Sequence, residues 1–201
     1  MWKNVMGSFA GAYFMDPETV GILVYLWGLC NGTARIGFGF LSDHFAAIDV
    51  VKYPRVGWLV LCNSLAFLSH ISYFIAGEDV VWIVTIFTAI SYGACYAIIS
   101  AQMSFYFGTT AYAANMGIVS VAIAFGDLIL VSISSSFVNA ATNILSIDGE
   151  CHGDICFFNT FILSSSCLGI ALALSVVLML RDVARSQRLG IKTAVLEPTG
   201  H

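Results

Sequence analysis

Five long apolar stretches, separated by short polar breaks, organise this sequence. They cover about 19–41, 56–76, 80–105, 113–138 and 155–180. The breaks, 42–55, 77–79, 106–112 and 139–154, hold most of the polar residues. Each stretch reaches the roughly 20 residues that a helix needs to cross the hydrocarbon of a bilayer. None shows the alternating polarity of a barrel strand, and all are too long for one. The pattern therefore predicts an all-α membrane protein of about five transmembrane helices. Glycines inside the first stretch, Gly28, Gly32, Gly37 and Gly39, suit a membrane helix, where small residues let neighbours approach closely.

Composition gives the same answer. Only 10% of the 201 residues are charged and 59% are hydrophobic, with a mean hydropathy of +0.88. A soluble domain carries about 25% charged residues to face water. The net charge of −4 comes without any basic stripe, so nucleic acid is not an expected partner; the lipid bilayer is. The first fourteen residues carry one lysine and no apolar run long enough for a secretory signal.

Lysine and arginine set the expected orientation. Lys52 and Arg55 lie in the first break, and Arg181, Arg185, Arg188 and Lys192 follow the last stretch. The opposite segments carry only Lys3 against Asp16, Glu18, Glu78, Asp79, Asp148, Glu150 and Asp154. The first break and the C-terminus are thus expected in the cytoplasm and the N-terminus outside, in agreement with an odd number of spans. Residues 1–18 form an outer stub, 19–181 the five-span domain and 182–201 a cytoplasmic tail. The mildly apolar piece 5–14 is too short to cross. It reads as the last turns of a helix whose beginning is absent, as a re-entrant piece, or as a short exposed tail. The sequence does not distinguish a plasma membrane from an organelle.

The run from Trp27 to Asp43 includes Asn31, Gly32, Arg35, Gly37 and Gly39, and its Gly39 and Asp43 have G-x-x-x-D spacing. It resembles the signature loop of the major facilitator superfamily. His44 stands where that signature has a basic residue, and the trailing G-R-R is missing. Within the superfamily, Trp27, Asn31, Gly32, Arg35, Gly37 and Gly39 are similar to the tryptophan–asparagine–glycine–arginine helix of the nodulin-like group. So is the end of the chain, Cys151 to Phe157, then Thr160-Phe161 and an apolar run closing on Arg181. The resemblance implies helices eight to twelve of a twelve-helix fold, with 5–14 as the outer end of helix seven. It implies a fragment or half of a secondary carrier that moves a small solute by alternating access. A missing N-terminal half or another chain would supply the second wall. The competing expectation is a non-transporting membrane subunit, scaffold or truncated product.

Polar groups inside apolar stretches are the candidate chemistry. Asp127 lies near the middle of the fourth, where a carboxylate costs about 2.5–3.5 kcal/mol on insertion scales. It is a candidate for proton coupling or solute contact, set against a packing aspartate. Arg35 lies two turns from the inner end of the first stretch, where it can snorkel. With Gly39 and Asp43 it is a candidate cytoplasmic gate, set against solute binding and plain anchoring. Gln102 and Asn115 flank the 106–112 break and serve either helix-end groups or the solute. His70 reads as a packed residue rather than a metal ligand.

Cys30, Cys62, Cys95 and Cys167 fall in spans as small packing residues. Cys151 and Cys156 share an outer break, where an oxidising compartment allows a disulfide contributing roughly 2 kcal/mol by the chain-entropy model. Two free thiols are the alternative, and His152 adds too few ligands for zinc. With scattered histidines and no paired polar groups at one depth, neither an enzyme nor a cofactor is expected.

Overall fold

The computed structural model describes residues 16–47, 56–145 and 155–188. The described residues are all-helical: α1 Pro17–Ala47, α2 Val56–Ala76, a 3-10 turn Gly77–Val80, α3 Val81–Leu145 and α4 Ile155–Arg188. The piece 5–14 lies outside them.

Local chemistry sets the helix ends. Pro17 opens α1 at the first helical position, where its fixed φ fits and its missing N–H is no loss. Glu18 follows in the first turn, favourable beside the positive end of the helix dipole. The Val20 amide donates to the Asp16 carbonyl at 3.2 Å. Gly77 ends α2 at φ 55°, a left-handed stop that only glycine takes without strain.

α3 has 65 residues, about 98 Å as a straight helix, against a hydrocarbon thickness near 30 Å. It is not straight. Gly108 breaks it with φ 69° and ψ 172°, and the two legs, 81–107 and 109–145, fold back on one another. The proof is one apolar cluster that joins the start of α3 to its end. Val81 and Val84 are buried there with Leu23, Tyr73, Cys156, Phe157 and Phe161, and Val138 and Ala141 pack against them. The expected seven-residue break at 106–112 is thus a one-residue reversal. The helices also overrun the other expected breaks, α1 to Ala47 and α3 to Leu145, while α4 carries the expected tail on to Arg188.

Among the described residues, three helices are long and apolar enough to cross a membrane: Val56–Ile75, Val81–Asn143 and Cys156–Arg185. α1 has the length, but Asn31, Arg35 and five glycines dilute its apolar character. Large apolar side chains point outward, including Ile36 at 77%, Phe40 at 71% and Ile75 at 84% exposed. Such a surface, wrapped around helices of this length, is compatible with an integral membrane protein.

The core is tied by aromatic and polar contacts between helices. Tyr73 and Phe161 stack at 3.6 Å between ring centroids, joining α2 to α4. The hydroxyls of Ser134 and Thr160 bond at 3.1 Å. A second cluster, Cys62, Ala94 and Ile98 with Phe38 and Trp58 against it, holds α1, α2 and the first leg of α3 together.

Candidate functional site

Arg35 projects from α1 and its Nε donates to the Asn31 carbonyl oxygen Oδ1 at 3.0 Å, one turn back. Its guanidinium carbon lies 4.5 Å from the centroid of the Tyr96 ring on the first leg of α3. Cation–π contacts of this kind gain strength when water is excluded. Tyr92, one turn before Tyr96, meets Trp27 of α1 with ring centroids 6.2 Å apart.

The close approach of α1 to α3 depends on Gly93. A Cβ there would overlap the Asn31 carbonyl oxygen and crowd Ala34. This differs from the expectation that the α1 glycines bring a neighbour in. Cβ atoms on Gly28, Gly32, Gly37 and Gly39 would meet nothing within 4 Å; the contact is made by a glycine of the other helix.

Asp127 arrives from the second leg. Tyr92 lies eleven residues after Val81 and Asp127 eleven residues before Val138, and those two ends share one cluster. Antiparallel legs therefore set Tyr92 and Asp127 at the same height, about 16 Å from that end. The charges of Asp127 and Arg35 both act on the Tyr92 hydroxyl. Three segments distant in sequence thus bring Arg35, Tyr92, Tyr96 and Asp127 to one region. Arg35 and Tyr92 are exposed there, and Asp127 is half-buried.

The remaining candidates sit elsewhere. Gln102 and Asn115 are at the reversal end of the α3 legs. The Gln102 side chain lies beside the Tyr106 hydroxyl, which donates to the Asp182 carboxylate of α4. Tyr106 belongs to the polar stretch around Gly108, beyond the apolar run. Burial, and then the bond to Asp182, push its phenol up to about 12. It therefore donates at any physiological pH. The Gln102 Oε1 is buried without a partner. Asn115 Nδ2 donates to the Ala111 carbonyl at 3.0 Å, a helix-satisfying bond. Nearby, Ser100, Ser104, Thr109 and Tyr112 line an open cleft of about 320 Å³.

Gly39 and Asp43 lie near the far end of α1 from Pro17. Asp43 is eight residues beyond Arg35, about 12 Å along the axis. Cys156 is buried and disulfide-bonded, while Cys151 lies outside the described residues. His70 is 3% exposed. Its Nδ1 lies 3.0 Å from the Ala66 carbonyl oxygen and its ring 5.9 Å from that of Phe161.

Three polar contributors carry little to distinguish them in the sequence. Tyr92 and Tyr96 look like ordinary apolar-face aromatics; the signal was their i, i+4 spacing around Gly93. Asn63 is the third. Its Nδ2 donates to Ser175 Oγ of α4 at 2.6 Å, and its Oδ1 accepts from Cys95 Sγ of α3 at 3.7 Å. One amide thereby connects three helices. In comparisons with protein-family models, curated proteins and solved structures, the chain matches none.

Proposed function

We propose that this chain is part of a secondary carrier, a five-span integral membrane unit that moves a small solute by alternating access. In this reading α1, α2, the two legs of α3 and α4 each cross the bilayer once. The basic residues Lys52, Arg55, Arg181 and Arg185 put the first break and the C-terminus in the cytoplasm. Gly39 and Asp43 then lie at the cytoplasmic end of α1, where the major facilitator resemblance puts a gate.

The observation that carries the reading is the convergence of Arg35, Tyr92, Tyr96 and Asp127 from three segments. Ionisable side chains are expensive at membrane depth and mark solute or proton paths when they face an interior or a watered cavity. Asp127, in the same region as Tyr92, is the proton-coupling carboxylate.

Uptake by proteoliposomes containing the longest reading frame tests this directly. A solute panel is measured across pH for the wild type and for Asp127→Asn. The reading expects a pH-dependent uptake that Asp127→Asn makes pH-independent. An unchanged pH profile in the variant removes Asp127 from coupling.

One observation favours a non-transporting membrane subunit as the second reading. Arg35 and Tyr92 are exposed, so a wall from another chain or from further helices must cover them in the bilayer. If the chain alone binds such a partner stably and supports no uptake with it, the subunit reading prevails.

A further inference from the structure

The Arg35 guanidinium is held, oriented and only partly used. Its Nε is committed to Asn31 and one face lies over Tyr96. Guanidinium carries five N–H donors in a rigid fork. Its terminal edge, two nitrogens in one plane, is the part that binds a carboxylate through two parallel bonds. Among the described residues, the contacts of Arg35 are an amide oxygen and a ring, both neutral. Asp127 shares this region but is not one of those contacts, so a counter-charge in direct contact with the fork remains to be supplied.

The surroundings indicate what supplies it. Tyr96 backs the guanidinium and fixes its plane. Tyr92, about 6 Å along the helix from Tyr96, is 39% exposed and presents a ring and a hydroxyl. Behind it stands Trp27. Gly32 and Gly28, three and seven residues before Arg35 on α1, leave the space above their backbone open, with no atom within 4 Å of a Cβ. An apolar body has room along Tyr92 while an anionic head reaches Arg35.

We propose that Arg35 anchors the carboxylate of a small organic acid, whose apolar body lies along Tyr92. Asn31 and Tyr96 are positioning residues, which hold the fork at a fixed angle. The inference rests on the carrier reading only for a solute-accessible face, and it adds the class of solute.

Trp27, in contact with Tyr92, is a built-in reporter for the test. The full chain in lipid nanodiscs is titrated with benzoate, benzylamine, benzyl alcohol and inorganic phosphate, and tryptophan emission is followed. Benzoate should give a saturable change at least tenfold tighter than the amine, the alcohol or phosphate. Trp27→Phe should abolish the signal. Arg35→Lys, which keeps the charge but loses the fork, should weaken benzoate at least tenfold, as should Tyr96→Leu.

Benzylamine or benzyl alcohol matching benzoate would overturn the proposal, because the site would then be merely apolar. Phosphate matching benzoate would overturn the organic-acid assignment in favour of a bare anion site. These comparisons use the wild type, so they decide even if a variant fails to fold. Absence of saturable benzoate binding also overturns it. Flux separates the two claims: benzoate binding without any uptake leaves the anchor standing and removes the carrier. Uptake of another solute, indifferent to Arg35→Lys, does the reverse.

Discussion

Gly93 packs directly on the Asn31 carbonyl, and a methyl group at position 93 would overlap that oxygen. The obstacle is backbone, which cannot rotate away as a side chain would. Gly93→Ala is therefore expected to force α1 off α3, at about 1–3 kcal/mol. Asn31 also carries Arg35, so the same change should loosen the guanidinium. Gly28→Ala, with open space above it, is the control and should be tolerated. Thermal unfolding of the two variants in detergent checks the contrast; equal losses would contradict it.

Gly108→Ala should be costly for a different reason. With φ 69° and ψ 172°, the backbone lies in a region that is essentially glycine-only, at about 1–3 kcal/mol for other residues. Asparagine, which tolerates the left-handed helical region, gains nothing at this ψ. Melting temperatures of Gly108→Ala and Gly108→Asn should fall together.

Asn63→Leu removes the amide that reaches both Ser175 and Cys95. Hydrogen bonds between membrane helices are worth roughly 0.6–2 kcal/mol. A double-mutant cycle with Ser175→Ala should show the two losses to be non-additive. Strict additivity would mean that the 2.6 Å contact contributes nothing.

The Tyr106 phenol sits at about 12 rather than near 10. A group held protonated in the folded state contributes stability that is complete below its unfolded value. That contribution disappears as pH rises through its folded value. The bond to Asp182 should accordingly persist at pH 10, where ordinary tyrosines titrate. Ultraviolet titration of the eight tyrosines should lose one late-titrating group in Tyr106→Phe. Loss of this half-exposed bond should cost about 1 kcal/mol.

Much of the helical architecture could be read along the chain, because hydrophobic length depends only on neighbouring residues. α2 follows the second apolar stretch from Val56 to Ala76. Reversals were harder to read. Gly108 is one of eighteen glycines, and only its φ distinguishes it from those that continue a helix. Arg35 and Asp127 stood out singly, as charges in apolar runs. Their meeting at Tyr92 depends on how α1 and the two legs of α3 are set in height, which is decided by packing at Gly93 and Val138. Asn63 is silent in the sequence for the same reason: an amide in an apolar stretch has meaning only through what faces it.

The single-residue reversal at Gly108 also bears on how the protein is made. If each leg crosses the bilayer, as the carrier reading has it, 81–107 cannot settle there long before 109–145 follows, because no loop separates them. On that reading the two legs leave the insertion machinery as one helical hairpin. Asp127 would then make the passage already facing Tyr92, shielded by its own sister leg instead of meeting lipid alone. Lengthening the turn at position 108 would uncouple the two insertions and expose that carboxylate during synthesis, so its effect should be seen in yield before it is seen in activity.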